Sequence, residues 1–293
     1  MNEQIGERNE SFIGQSGLGA RNTARAKQEG ADNQVKQVQY STEVSGTGND
    51  AGAQQGGSFA TVANVAPEAL TQQAAIIANV DADAATVYYS APTEGNKALQ
   101  TQVGMENSAG VRQRGGLVGS SNYAEQEQDG TGNVAGIYQG KFYGGDPSNY
   151  AKQDQDGDDN TAGIVQVGSG HKSFQNQDDN NNTSLVSQRG KDHRLNTHQS
   201  GDGSVAHAVQ HGLGNRALMV QYDGQSYTVE QNKGLAFDDY SGGGNQADIL
   251  QMGPDGDFGA SDWTDCEFST PEDLNMDYTV PGLNLGDICV GCN

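Results

Sequence analysis

Polar and apolar positions alternate along most of this chain, but the positions that stay constant include the amides Gln and Asn. From Gln210 to Gln221 the sequence reads QHGLGNRALMVQ, with Gly212, Asn215, Ala217, Met219 and Gln221 at two, five, seven, nine and eleven residues after Gln210. Gln155 to Gln166 repeats the series with Gly157, Asn160, Ala162 and Ile164. The unit is Gln-x-Gly-x-x-Asn-x-Ala-x-[Ile/Val]-x-Gln. Signature residues alternating with variable ones have the period of a strand, one face fixed and one free. The Gly two residues into the unit, followed by polar residues, marks a turn. Each unit therefore predicts one strand of about seven residues and a turn of about four.

The units are evenly spaced. Gln155, Gln166, Gln177, Gln188, Gln199, Gln210 and Gln221 each fall 11 residues after the last. Such a period means a repeat architecture. A hairpin meander would set successive units side by side, with edge strands unlike central ones. A solenoid stacks each unit on the next but one, so equal positions form columns. Asn and Gln are poor core residues alone. Stacked at the ~4.8 Å strand spacing they bond into amide ladders, which supplies the partners that buried amides require. The expected fold is all-β: a β-solenoid of strand-turn-strand coils, two 11-residue units and 22 residues per coil. The expected ladder and assembly residues are those seven glutamines with Asn160, Asn182 and Asn215.

Read in order, the units begin at Gln4–Gln15, Gln15–Gln28 and Gln28–Gln39. Residues 56–91 lose the amides but keep alternation: Ala60, Val62, Asn64; Ala74, Ile76, Ala78, Val80; Ala85, Val87, Tyr89, Ala91. These read as solenoid strands with an apolar interior. The competing reading is a helix at 67–79, where PEALTQQAAIIAN opens on a proline and is rich in helix formers. The repeat returns at Asn96. Strands at Asn122–Gln128 and Asn149–Gln155 each follow about five extra residues, including Gly115-Gly116 and Gly144-Gly145, so coils there run to 26–27 residues. About 20 strands and 10 coils make a rod of about 48 Å at ~4.8 Å per rung.

The repeat resembles the curlin repeat of curli, the extracellular functional amyloid of bacterial biofilms. The residues that carry the resemblance are Gln128-Gly130-Asn133-Ala135-Gln139, Gln155-Gly157-Asn160-Ala162-Gln166 and Gln210-Gly212-Asn215-Ala217-Gln221. It divides the chain into a curlin-like solenoid at 1–251, irregular at 56–91, and a non-repeat tail at 252–293, a possible cap or junction. The resemblance implies a secreted structural subunit of a cell-surface fibre. It also implies export through a dedicated outer-membrane channel, and a nucleating partner at the cell surface. The chain opens on a full repeat, which predicts that Met1 stands where an export signal has been removed.

Composition changes the picture in two ways. With 42 Gly, 33% hydrophobic residues and a net charge of −22, the chain borders on the composition of disorder, and only the thin, neighbour-stacked core of a solenoid escapes that. The acidity argues against nucleic acid or anionic membranes as partners. No run of 18 apolar residues is present to span a bilayer. Asp-rich stretches (Asp154, Asp156, Asp158, Asp159; Asp178, Asp179) suggest a calcium β-roll, but that fold needs a nine-residue period and the period here is 11.

His171 and His193 both occupy the Asn position, 22 residues apart, and should stack as neutral substitutes for Asn; a metal or pH-responsive pair is the sharper alternative. The tail holds Trp263 and all three cysteines. Cys266, Cys289 and Cys292 read as a disulfide plus a free thiol, with Cys266 joined to Cys289 or Cys292, or as three thiolates of a metal site. No catalytic constellation is present, so an enzyme is not expected, and no cofactor is implied. The expected mechanism is self-assembly: open solenoid edges template the next subunit, and head-to-tail growth does not close. A minor capping or anchoring subunit, and a monomeric ligand-binding solenoid, are the alternatives.

Overall fold

The computed structural model describes residues 2–56, 68–80, 93–114, 121–140, 148–233 and 242–251. Their alternating faces close into a two-sheet β-solenoid in which all rung pairings are parallel. Sheet A holds nine rungs: β1 (Asn2–Glu7), β3 (Arg21–Ala31), β5 (Thr47–Gln55), β8 (Ser108–Gln113), β10 (Val134–Gly140), β12 (Thr161–Ser169), β14 (Thr183–Lys191), β16 (Val205–Leu213) and β18 (Ser226–Gln231). A two-residue strand, β6 (Thr93–Glu94), joins it beside β3.

Sheet B holds the other nine rungs: β2 (Glu10–Gly17), β4 (Gln34–Ser41), β7 (Lys97–Met105), β9 (Tyr123–Thr131), β11 (Tyr150–Asp156), β13 (Lys172–Asp178), β15 (Arg194–Ser200), β17 (Arg216–Tyr222) and β19 (Gln246–Gln251). Each unit stacks on the next but one: Gln155 lies over Gln177, and Gln166 over Gln188. Nine rungs rather than ten make the described rod about 38 Å long at ~4.8 Å per step.

Register is held by what each column can bury. Inside, Ala, Val, Ile and Leu side chains from the two sheets form one continuous core, including Ala98, Val111, Ile137, Ile164, Leu195 and Met219. Many rungs run two residues past their glutamine through the signature glycine, so that glycine is a ladder position before it is a turn. Gly168 and Gly190 have φ of +129° and +122°, and a Cβ on either would collide with the carbonyl oxygen of the glycine one coil on. Only glycine fits both the conformation and the approach.

Residues 68–80 correct the strand reading of this region. They form a helix, α1 (Glu68–Val80), that lies outside the solenoid against sheet A. Ala74, Ile76, Ala78 and Val80 are thus helical, and the rungs above and below close without them: β4 stacks directly on β7, and β5 on β8. The strand readings at Ala60, Val62, Asn64 and at Ala85, Val87, Tyr89, Ala91 lie outside the described residues, as does the tail with Cys266, Cys289 and Cys292. The described helix is too short to cross a membrane.

Candidate functional site: the amide ladders and the open rungs

All seven evenly spaced glutamines lie in two inward columns. In sheet B the column runs Gln15, Gln39, Gln102, Gln128, Gln155, Gln177, Gln199, Gln221, Gln251. In sheet A it runs Gln4, Gln28, Gln55, Gln113, Gln139, Gln166, Gln188, Gln210, Gln231. In every step the Nε2 of one glutamine donates to the Oε1 of the next, at 2.7–3.0 Å. The second Nε2 hydrogen crosses the core to a backbone carbonyl of the facing sheet, as from Gln166 to Tyr150 O (2.8 Å) and from Gln199 to Thr183 O (3.0 Å). One side chain therefore ties its own rung to the next and one sheet to the other. Interior members are almost fully buried, and the ladder is what makes that burial tolerable.

The asparagines stand at the corners. Asn160 Oδ1 accepts the backbone N–H of Asn182 (2.8 Å), and Asn182 Oδ1 accepts that of Ser204 (2.8 Å). Their Nδ2 groups reach carbonyls of the turn, such as Asn182 to Asp178 O four residues back (2.7 Å). Asn215 does the same with His211 O and Asn245 N.

His171 and His193 copy this pattern. His171 Nδ1 accepts from His193 N (3.3 Å), and His193 Nδ1 accepts from Asn215 N (3.1 Å). Each Nε2 sits against the carbonyl four residues back, Val167 O or Arg189 O, and donates to it. The rings stack at 5.0 Å with 6° between planes. This fixes the neutral Nε2–H tautomer in both rings and leaves neither a lone pair for a metal. Burial pushes the His171 imidazole down to about 3 and that of His193 down as well, the neighbouring histidine adding to the effect on His171. Among the described residues no three His, Cys, Asp or Glu side chains converge as a metal would need.

The acidic stretches divide. Asp158 Oδ1 accepts Thr131 N and Asp179 Oδ2 accepts Gly201 N, so these turn acids bond the neighbouring coil. Asp159 and Asp179 take up left-handed corner conformations. Asp154 is not in a turn: it lies on β11, buried, its carboxyl pushed well above the usual range by desolvation and by Glu127.

A further amide column escaped the sequence reading. Gln37, Gln100, Gln126, Gln153 and Gln175 stack inside sheet B at 2.8–2.9 Å, two residues before the main column. Its signal is present only every second unit, at the coil period rather than the unit period. No family model matches this chain, and no curated protein matches it.

The ladders are directional, and this decides what the ends offer. Every Nε2 points toward the C-terminal rungs. At the N-terminal end, among the described residues, nothing donates to Oε1 of Gln4 or Gln15. At the other end Gln231 and Gln251 each spend one Nε2 hydrogen on a carbonyl, Arg216 O and Ser226 O. Among the described residues the second meets no acceptor. β1 is exposed along its whole length.

Proposed function

We propose that this chain is a structural subunit that polymerises end to end, as the curlin-like repeat suggests. The observation that carries the reading is the chemical mismatch between the two ends. The N-terminal rungs β1 and β2 offer glutamine acceptors, and the C-terminal rungs β18 and β19 offer glutamine donors. Set head to tail, Gln231 meets Gln4 and Gln251 meets Gln15, and both ladders continue. Set head to head, oxygen faces oxygen. Exposed parallel rungs with unfilled backbone groups are templates for a further strand. Repetition of a contact that does not close produces a fibre. In this reading the fibre is extracellular, and secretion, an export channel and a surface nucleator come with the family resemblance.

The test is electron microscopy of freshly purified protein beside the variant Gln4→Lys/Gln15→Lys and a chain ending at Met252. Lysine keeps a downward donor to Gln28 and Gln39 and removes the acceptor at the open end. Both sites are exposed, so the monomer should keep its β-sheet circular dichroism. The expected result is unbranched fibres from the parent and none from the double lysine variant. Fibres from the truncated chain alone would make the protein a terminating or anchoring subunit. No fibres from any of the three, with β structure intact, overturns the polymer reading.

A further inference from the structure

The helix α1 sits in a seat that the solenoid builds without it. On the outer face of sheet A, Gly52, Gly110, Gly136 and Gly163 stand in register on four successive rungs. Arg25 closes this column at one end and Leu185 at the other. The glycines leave a shallow trough along the rod. α1 crosses β5, β8, β10 and β12 and reaches β14. Its 13 residues measure about 20 Å at ~1.5 Å per residue, which matches four rung steps of about 19 Å. Gln73 lies in the trough: a Cβ on Gly110 would collide with Gln73 Cβ and lie 2.7 Å from Ala69 O, and one on Gly136 would lie 3.3 Å from Gln73 Cγ. Gln73 Nε2 donates to Ile137 O (3.0 Å), and Asp50 Oδ2 accepts Ala69 N (2.8 Å). Ile76 and Ile77 pack on Tyr138, Val165 and Val167.

The helix also belongs to a segment that the repeat does not need. Gln28 pairs with Gln55, but Gly30, two residues on, pairs with Thr93. Gln55 and Gln102 lie 47 residues apart, 36 more than one 11-residue unit. The 36 residues 57–92 are thus spliced into one rung without shifting the phase of the ladder. Within them, 11 residues precede α1 and 12 follow it. At ~3.3–3.6 Å per residue each connection can span at most about 36–43 Å, enough to reach a rod lying alongside.

We propose that the glycine trough of sheet A is a helix-docking site that can take α1 from a second copy of this chain in place of its own, joining two rods side by side. Exchange of an identical element between copies needs no new contact chemistry. Among the described residues, what holds α1 comes from rungs outside the spliced segment, so the seat is equally complete for a helix arriving from another chain. The proposal concerns the lateral face and does not depend on end-to-end polymerisation.

The test pairs two full-length chains, each also carrying Gln4→Lys/Gln15→Lys to suppress end contacts. Gly110→Val fills the trough at a strand position without positive φ, giving a chain with a helix and no seat. Gln73→Pro breaks the helix, giving a chain with a seat and no helix. Separately each should sediment near 30.7 kDa; mixed, they should form a 1:1 complex of twice that mass. The double variant Gly110→Val/Gln73→Pro should pair with itself no more than the separate chains do. Limited proteolysis of the Gly110→Val chain should cut α1 at least tenfold faster than in the parent. Failure of the unlike chains to pair, with α1 freed in the first, overturns the exchange. An α1 that stays protected in Gly110→Val overturns the seat itself.

Discussion

The coils between Gln28 and Gln139 and those between Gln155 and Gln231 are connected very differently. In the second region successive ladder partners are 22 or 21 residues apart. In the first they are 26, 27, 58 or 63 residues apart, the last two because of the spliced segment. Yet Gln39 meets Gln102 at 2.7 Å and Gln177 meets Gln199 at 2.9 Å. The rung is the unit of structure, and the connection is nearly free, because loop-closure cost grows only logarithmically with length. Where the regions do differ is inside. Sheet B carries glutamine at its central inward position through Gln175, then Thr197, Met219 and Ile249. The Asn corner likewise turns to histidine at His171 and His193.

This contrast can be broken most severely at its amide half. Gln126→Leu would strand the Oε1 of Gln153 in the core, at roughly 1–3 kcal/mol, and take one acceptor from Gln100 Nε2, which keeps Ala109 O. The same column at Met219→Leu should cost less than about 1.5 kcal/mol, a near-isovolumetric swap. Urea unfolding of the two variants checks this; equal losses would show that the central amides are not a ladder.

Acid should sharpen the histidine half. His171 is held neutral when folded, down to about 3, while the unfolded ring titrates near 6.5. The unfolded chain therefore binds the extra proton first. Stability from His171 is whole above about pH 6.5 and falls by roughly 1.4 kcal/mol per pH unit below it, until the folded ring itself protonates. His193 acts in the same direction. His171→Asn/His193→Asn should flatten the slope between pH 6.5 and 4, and comparison with the parent cancels the carboxylates common to both. An unchanged slope would contradict the tautomers assigned to the pair.

The smallest effect tests the indifference to connections. Gly203 lies in a tight turn with open space where a side chain would stand. Five Gly/Ser residues inserted after it lengthen a 22-residue coil to the length found at Gln128–Gln155. The closure cost is about 0.2 kcal/mol. A loss above about 1 kcal/mol by the same urea measurement would mean that the turns, too, hold the register.

Much of the fold was legible because a solenoid writes each contact at a fixed distance along the chain. The period of 11, the coil of 22 and the His171–His193 stack all follow from spacing. The second amide column at Gln100, Gln126, Gln153 and Gln175 was hidden because it occurs in alternate units, so a single-unit consensus averages it away. The helix at 67–79 stands only as the competing reading, for a different reason. Ala74, Ile76, Ala78 and Val80 satisfy a period of two as well as a helical face, and the choice depends on the trough at Gly110 and Gly136, dozens of residues later. Nothing within the segment announces that seat. The ladder members share one spacing along the chain, but their common direction is a property of side-chain rotamers that residue spacing does not carry.

The splice at residues 57–92 also changes what tension would do to the rod. Hydrogen bonds between rungs lie along the long axis, so a pull on the two ends loads them lengthwise and opens coils one after another. An ordinary coil would pay out 22 residues, about 75 Å of slack at ~3.3–3.6 Å per residue. The coil closed by Gln39 and Gln102 would pay out 63 residues, about 215 Å, in a single event once α1 lets go. A tether built this way would carry one long shock-absorbing loop among many short ones, a step that force spectroscopy would register as a single outsized extension.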